Sequence, residues 1–202
     1  MNVRSVTPTR LGCFLVAAAV APLLHCGSDP VHDAEVAALG NEVPGVPQGP
    51  YHRAGQPCTV CHGPEGPAST QFVLAGTVFD SAAAVNGAPG NLVGIGNVQV
   101  LVVDDNKTSP TTTPVTNCVG NFYITADQWT PAFPVNVGLS ADGTMATMLT
   151  QISRATSCAE CHLDPPGLMA VGHVYLGVSP NPNEERACPV SNVLGGNVGT
   201  AP

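Results

Sequence analysis

Two copies of one short pattern hold most of the reactive side chains in this 202-residue sequence: Cys58-Thr59-Val60-Cys61-His62 and Cys158-Ala159-Glu160-Cys161-His162. In each copy two thiols are separated by two residues and an imidazole follows at once. That spacing is close to one helical turn, so one turn aims both sulfurs the same way and sets the imidazole beside them. Three kinds of chemistry use such a set. The cysteines can form a structural zinc site, alone or with histidine. They can act as a redox dithiol, which needs a βαβ setting. Or the sulfurs can bond covalently to a flat ligand while the histidine binds the metal it carries. At this chain's Cys and His frequencies one copy arises by accident in roughly one sequence in a hundred, and two copies are far rarer.

Both motifs resemble the haem-attachment motif of c-type cytochromes, and the chain is similar to a dihaem member of that class. The resemblance implies two c-type haems held by thioethers from Cys58, Cys61, Cys158 and Cys161. His62 and His162 would be the proximal iron ligands. The zinc reading stays as a rival, whereas no βαβ pattern surrounds either motif to support a redox dithiol. Two six-coordinate haems need two more ligands. His52, six residues before Cys58, and His173, eleven after His162, are the candidate distal ligands, and either could serve either haem. His173 lies in the apolar segment Val171–Leu176, where a hydrogen-bonded core histidine is the ordinary reading. Met169 is the main substitute, followed by Met145 and Met148, whose strand setting suits core filling. His25 ends an N-terminal leader. His32 lies in a Pro/Gly-rich arm and reads as a solvated loop histidine.

The remaining cysteines are accounted for by export. Arg4 and Arg10 precede an apolar run from Leu11 to Leu24, too short for a comfortable membrane span. Leu23-Leu24-His25-Cys26 resembles a bacterial lipobox. This implies a signal peptide over 1–25, lipidation at Cys26 and a membrane tether. The expected location is the periplasm or the outer membrane and cell surface of a Gram-negative bacterium. Ordinary cleavage near Ala17-Ala18-Ala19 is the alternative. Cys13 belongs to the leader, Cys26 to the lipid and four cysteines to the motifs. Cys118 and Cys188 are left, and a leftover pair in an oxidising compartment predicts a disulfide.

The elements that must position these groups read as strands. Helix formers are scarce, and strand patterns run over Gln71–Phe79, Val98–Val103, Asn121–Thr125, Phe133–Leu139 and Thr144–Thr150. Turn clusters separate them at Asn86-Gly87, Pro89-Gly90, Asp104-Asp105-Asn106 and Asp142-Gly143. The expected fold is mostly β, an antiparallel β-sandwich flanked by the two short motif segments. Gly76-Thr77-Val78-Phe79-Asp80, Gly96-Asn97-Val98-Gln99-Val100, Gly120-Asn121-Phe122 and Phe133-Pro134-Val135-Asn136-Val137 resemble a carboxypeptidase-regulatory-like, or transthyretin-like, domain. That resemblance implies a scaffold without catalytic residues. The expected organisation is a signal peptide over 1–25, a Pro/Gly-rich tether over 26–57 and a haem-binding domain over 58–178. A C-terminal tail covers 179–202. Within the domain, haem segments 58–69 and 158–178 bracket the sandwich 70–157. The tether holds one short helix pattern near Val31–Leu39. One motif precedes the first strand and the other follows the last, and an antiparallel sandwich can bring those ends to one edge.

Charge narrows the partners. There are 14 acids against 6 bases, for a formal net charge of -8. Removal of the leader leaves four bases, so nucleic acid is excluded as a partner and an acidic surface can steer a basic one. No acid–base constellation suggests catalysis. The expectation is an exported electron carrier, not an enzyme. Its partners would be redox proteins, including other cytochromes, and a membrane reached through the lipid. The alternatives are a haem-containing binding or sensor module and a small dihaem peroxidase.

Overall fold

The computed structural model describes residues 29–42, 45–81, 92–163, 171–178 and 188. Helix α1 spans Pro30–Ala38 and α2 spans Cys58–His62. Five strands follow: β1 Phe72–Thr77, β2 Gln99–Val103, β3 Asn121–Thr125, β4 Asn136–Ala141 and β5 Thr144–Thr147. A 3-10 turn, Cys158–Glu160, comes after them. The fold is mostly β, as expected. β1 and β3 pair antiparallel, and β2, β4 and β5 form a second antiparallel sheet in that order.

Local sequence explains most of these elements. Asp29 caps α1 by accepting the Val31 N–H, and Pro30 occupies the first turn, where no N–H is needed. This is the helix expected near Val31–Leu39. In β2, Val100 and Val102 point inward while Leu101 stays exposed; in β3, Phe122 and Ile124 point inward and Tyr123 outward. Asp142 and Gly143 both have positive φ, 50° and 76°, as a two-residue hairpin loop requires between β4 and β5. β4 starts later than its apolar pattern. Pro134 has no N–H for a ladder, and Val135 instead pairs with Ile152 in an isolated bridge. The turn clusters at Asn86-Gly87 and Pro89-Gly90 lie outside the described residues.

One hydrophobic cluster takes side chains from both sheets: Leu74 from β1, Val100 and Val102 from β2, Phe122 and Ile124 from β3, and Leu139 from β4. Trp129 and Leu176 close it. A smaller cluster of Val46, Ala54 and Val119 packs with Tyr51, Cys118 and Cys188. The Cys118–Cys188 disulfide is formed, across 70 residues of sequence. Closing a loop of that length stabilises the folded chain by about 4 kcal/mol on chain-entropy grounds. The bridge therefore anchors Cys188 beside the segment that leads into α2.

Asp104 organises the loop after β2. It is buried, and its carboxylate accepts from the Thr108 N–H (2.7 Å), the Thr108 hydroxyl (2.8 Å) and the Ala132 N–H (2.9 Å). The Thr108 hydroxyl in turn accepts from the Trp129 indole at 3.1 Å. The Ala132 N–H, followed by the Thr108 donors, holds the Asp104 pKa below the usual carboxylate value. A depressed carboxylate stabilises the fold above its unfolded-state pKa, near 4, and that stability fades as pH falls through the lower folded value. Asp104→Asn should therefore lower Tm by several degrees at pH 7 and flatten the acid limb of a stability–pH curve below about pH 4. Thermal melts across pH check this, and an unchanged acid limb would contradict it.

Candidate functional site

β1 brings the two motifs together. Its residues Leu74 to Thr77 are all buried, so both of its faces are covered. One edge pairs with β3. On the other, the Ala75 N–H donates to the Thr156 carbonyl (2.9 Å) and Ala75 bridges to Ser157 in parallel. That pairing delivers the second motif. Gly76 then admits it: a Cβ there would lie 2.6 Å from the Cys158 sulfur and 2.8 Å from its Cβ. Thr77 receives the other segment. Its hydroxyl accepts from the Gly55 N–H at 2.8 Å, three residues before α2, and donates to Asn121 at 2.7 Å.

The two motifs also bond to each other. The Cys58 N–H donates to the Ser157 hydroxyl (3.1 Å), and the Thr59 hydroxyl donates to Glu160 (3.1 Å). Ser157 and Glu160 form a capping box around the second motif's turn, in which Glu160 accepts the Ser157 N–H at 2.9 Å. This box is a legible S-x-x-E pattern, yet its reach to Cys58 is not. Each motif is a single helical turn, as the spacing predicts. The Gly63 N–H reaches Thr59 in the first, and the His162 N–H reaches Cys158 in the second, both at 2.8 Å.

The motif histidines share one proton arrangement. His62 Nδ1 lies 2.7 Å from the Thr70 carbonyl, and His162 Nδ1 lies 2.9 Å from the Gly172 carbonyl. A carbonyl only accepts, so Nδ1 carries the proton in both rings and Nε2 keeps a lone pair. That is the tautomer of a metal-ligating histidine, oriented by a main-chain acceptor. The His62 ring also stacks on Phe72, centroids 4.1 Å apart, and Phe72 stacks on the half-exposed Tyr123 at 4.6 Å. This aromatic support was not legible in the sequence, because it depends on where β1 and β3 meet.

Burial raises three of the four motif thiols above the ordinary thiol value. Burial pushes Cys58 up to about 11, and burial followed by the neighbouring Cys58 pushes Cys158 up to about 12. Burial also raises Cys61. Protonated thiols are poor nucleophiles at neutral pH, unlike the low-pKa cysteine of a dithiol oxidoreductase. Among the described residues, no three His, Cys, Asp or Glu side chains converge as metal ligands. Each motif sets out two thiols and one imidazole, the set that a thioether-linked haem would take.

The other expected ligands are placed as follows. His52 lies beside His62, ring centroids 5.9 Å apart, and burial, partly offset by Glu42, lowers its pKa. Its Nδ1 accepts the Gly49 N–H at 2.9 Å. His173 directly follows the Gly172 that binds His162; it is 3% exposed and packs against Phe79 at 4.7 Å. Met169, the leader and Cys26 lie outside the described residues. Met145 and Met148 do not fill core. Met145 is 64% exposed on β5, an edge strand with every residue exposed, and Met148 just beyond it is exposed too. His32, expected in a solvated loop, sits on α1 with its side chain only 18% exposed.

Arg53 fastens α1 to this region. Its guanidinium donates to the Leu39 and Gly40 carbonyls, to Glu42 and to Gln56, at 2.8–3.1 Å. The exposed carbonyls at a helix C-terminus are a natural site for such a cation. Comparison with family models, curated proteins and solved structures found no match to this chain.

Ser157 is the joint between the motifs. Ser157→Ala removes a helix cap and leaves the Cys58 N–H without its acceptor, so it should cost about 1–2 kcal/mol. Urea unfolding measures this, and an unchanged midpoint would show that the two motifs are not energetically joined there.

Proposed function

We propose that this chain is an exported c-type cytochrome that carries two covalently attached haems and transfers electrons outside the cytoplasm. The observation that carries the reading is the pair of Cys-x-x-Cys-His turns, each with its histidine Nδ1 bonded to a main-chain carbonyl. A haem bound there supplies a one-electron Fe(III)/Fe(II) couple. The protein's part is to hold and tune it. Cys58 and Cys61 anchor one haem, and Cys158 and Cys161 the other. His62 and His162 present Nε2 as proximal ligands, kept in that tautomer by Thr70 and Gly172. His52, His173 and Met169 are the candidates for the distal positions. The two sheets, read as a transthyretin-like sandwich, are the scaffold, and no residue is assigned a catalytic role. The contacts between the motif turns support electron exchange between the two haems.

The leader-like pattern at the N-terminus supports the same reading, since haem attachment of this kind takes place outside the bacterial cytoplasm. Cys26 is proposed as the lipid anchor in the periplasm or on the outer membrane. No helix among the described residues is long and apolar enough to cross a membrane. The acidic chain suits basic redox partner proteins and offers nothing to nucleic acid.

Production in a host that matures c-type cytochromes tests the proposal. The purified protein should be red, hold two haems per chain by pyridine haemochrome, and retain them through acid–acetone extraction. Replacing both Cys58 and Cys61 by Ala should halve the haem, and the same change at Cys158 and Cys161 should remove the other half. A colourless, zinc-containing product would overturn the reading.

A further inference from the structure

We propose that Thr111, Thr112 and Thr113 are acceptors for O-linked sugar, an inference that rests on the export part of the reading above and not on haem. They lie between two prolines in the run Thr108-Ser109-Pro110-Thr111-Thr112-Thr113-Pro114. Serine and threonine mixed with proline is the composition of O-glycosylated segments, because proline keeps the chain extended and the hydroxyls out of a packed core.

The fold singles out these three. The segment runs along the edge of β2 that β4 leaves free, with Val115 bridging Gln99 in antiparallel fashion. It is pinned to β2 at two points. The Ser109 hydroxyl donates to the Val102 carbonyl at 2.7 Å, and the Val100 N–H donates to the Pro114 carbonyl at 2.8 Å. Val100 and Val102 stand about 7 Å apart along a strand. The chain from Ser109 to Pro114 can reach about 17 Å. The excess has to bow away from the sheet, and Thr111, Thr112 and Thr113 form the exposed crest of that arch.

The neighbouring hydroxyls are already engaged. Thr108 donates to Asp104 and accepts from Trp129, and Ser109 is used on Val102. The buried Thr116 donates to the Ile95 carbonyl at 2.6 Å and accepts the Val98 N–H at 3.0 Å. Among the described residues nothing bonds to the hydroxyls of Thr111, Thr112 or Thr113. The co-substrate is a sugar activated at its anomeric carbon by a phosphate leaving group. A threonine Oγ1 attacks that carbon, the sugar–phosphate C–O bond breaks and the glycosidic C–O bond forms. The hydroxyl proton leaves with the released phosphate, and nothing is oxidised or reduced.

The arch also gives the sugar a purpose. Neither β2 nor the segment from Ser109 to Thr116 carries a charged residue, and Leu101 and Val115 are exposed there. A free strand edge is ordinarily guarded by charge; a hydrated sugar on the arch guards this one.

Peptide mapping of the protein purified from the cells that naturally produce it tests the proposal. Lys107 and Arg154 bound one tryptic peptide, 108–154. Electron-transfer fragmentation should place added mass, in whole sugar residues, on one or more of Thr111, Thr112 and Thr113 and none on Thr108, Ser109 or Thr116. Thr111→Val, Thr112→Val and Thr113→Val together should abolish that mass, and serine at the same three positions should keep it. A bare peptide, mass added in phosphate steps, or sugar confined to other residues of the peptide overturns the proposal. If a bare peptide comes from a chain whose intact mass still includes residues 1–25, the export reading fails with it, which separates the two failures.

Discussion

The structure turns on how closely the second motif lies against β1. Two turns whose first cysteines are about a hundred residues apart must meet, and each must keep its sulfurs and imidazole in one orientation. The chain solves this by using both edges of β1. One edge is spent on β3. The other takes Thr156 and Ser157 in parallel, and Gly76 leaves the space into which the Cys158 side chain fits. A larger residue at Gly76 would push the second turn away from the strand. Ser157 would then lose the Cys58 N–H and Glu160 the Thr59 hydroxyl, so the first motif depends on the same contact.

Proton placement is the second organising idea. An imidazole can offer a lone pair from one nitrogen only if the other keeps the proton. At His62 and His162 the fold settles this with carbonyl oxygens that can do nothing but accept. At His52 a main-chain N–H reverses this, because Nδ1 there accepts. Three histidines with the same intrinsic chemistry thus divide by their neighbours. Burial acts on the thiols in the same spirit. It raises the pKa of Cys58 and Cys158, so both stay thiols rather than thiolates at neutral pH.

The strands were legible in the sequence. Alternating apolar residues in β2 and β3, and the Asp142-Gly143 turn, state their structure locally, because strand period and hairpin geometry are short-range properties. The disulfide was legible by parity, since only Cys118 and Cys188 were left over. The exposed methionines show where this reasoning stops. Met145 belongs to a strand pattern, but β5 is an edge strand and its side chains face solvent. Nothing within four residues of Met145 encodes which sheet edge the strand will occupy. His32 shows the converse. It looked like part of a loose arm, and the Arg53 clamp on the Leu39 and Gly40 carbonyls lies well beyond any local window.

By itself the sequence determined the reactive unit: two turns, each with two sulfurs and an imidazole, because the spacing of Cys and His within five residues is a local matter. It also determined the strands and the turn between β4 and β5. Only the tertiary structure decided that the two turns touch, that Gly76 is the point of contact, and which ring nitrogen of each motif histidine keeps its proton. The first two outcomes rest on contacts between residues far apart in the chain, such as Cys58 with Ser157 and Gly76 with Cys158. No periodicity or motif carries that information, since an acceptor's place in space is set by the whole fold.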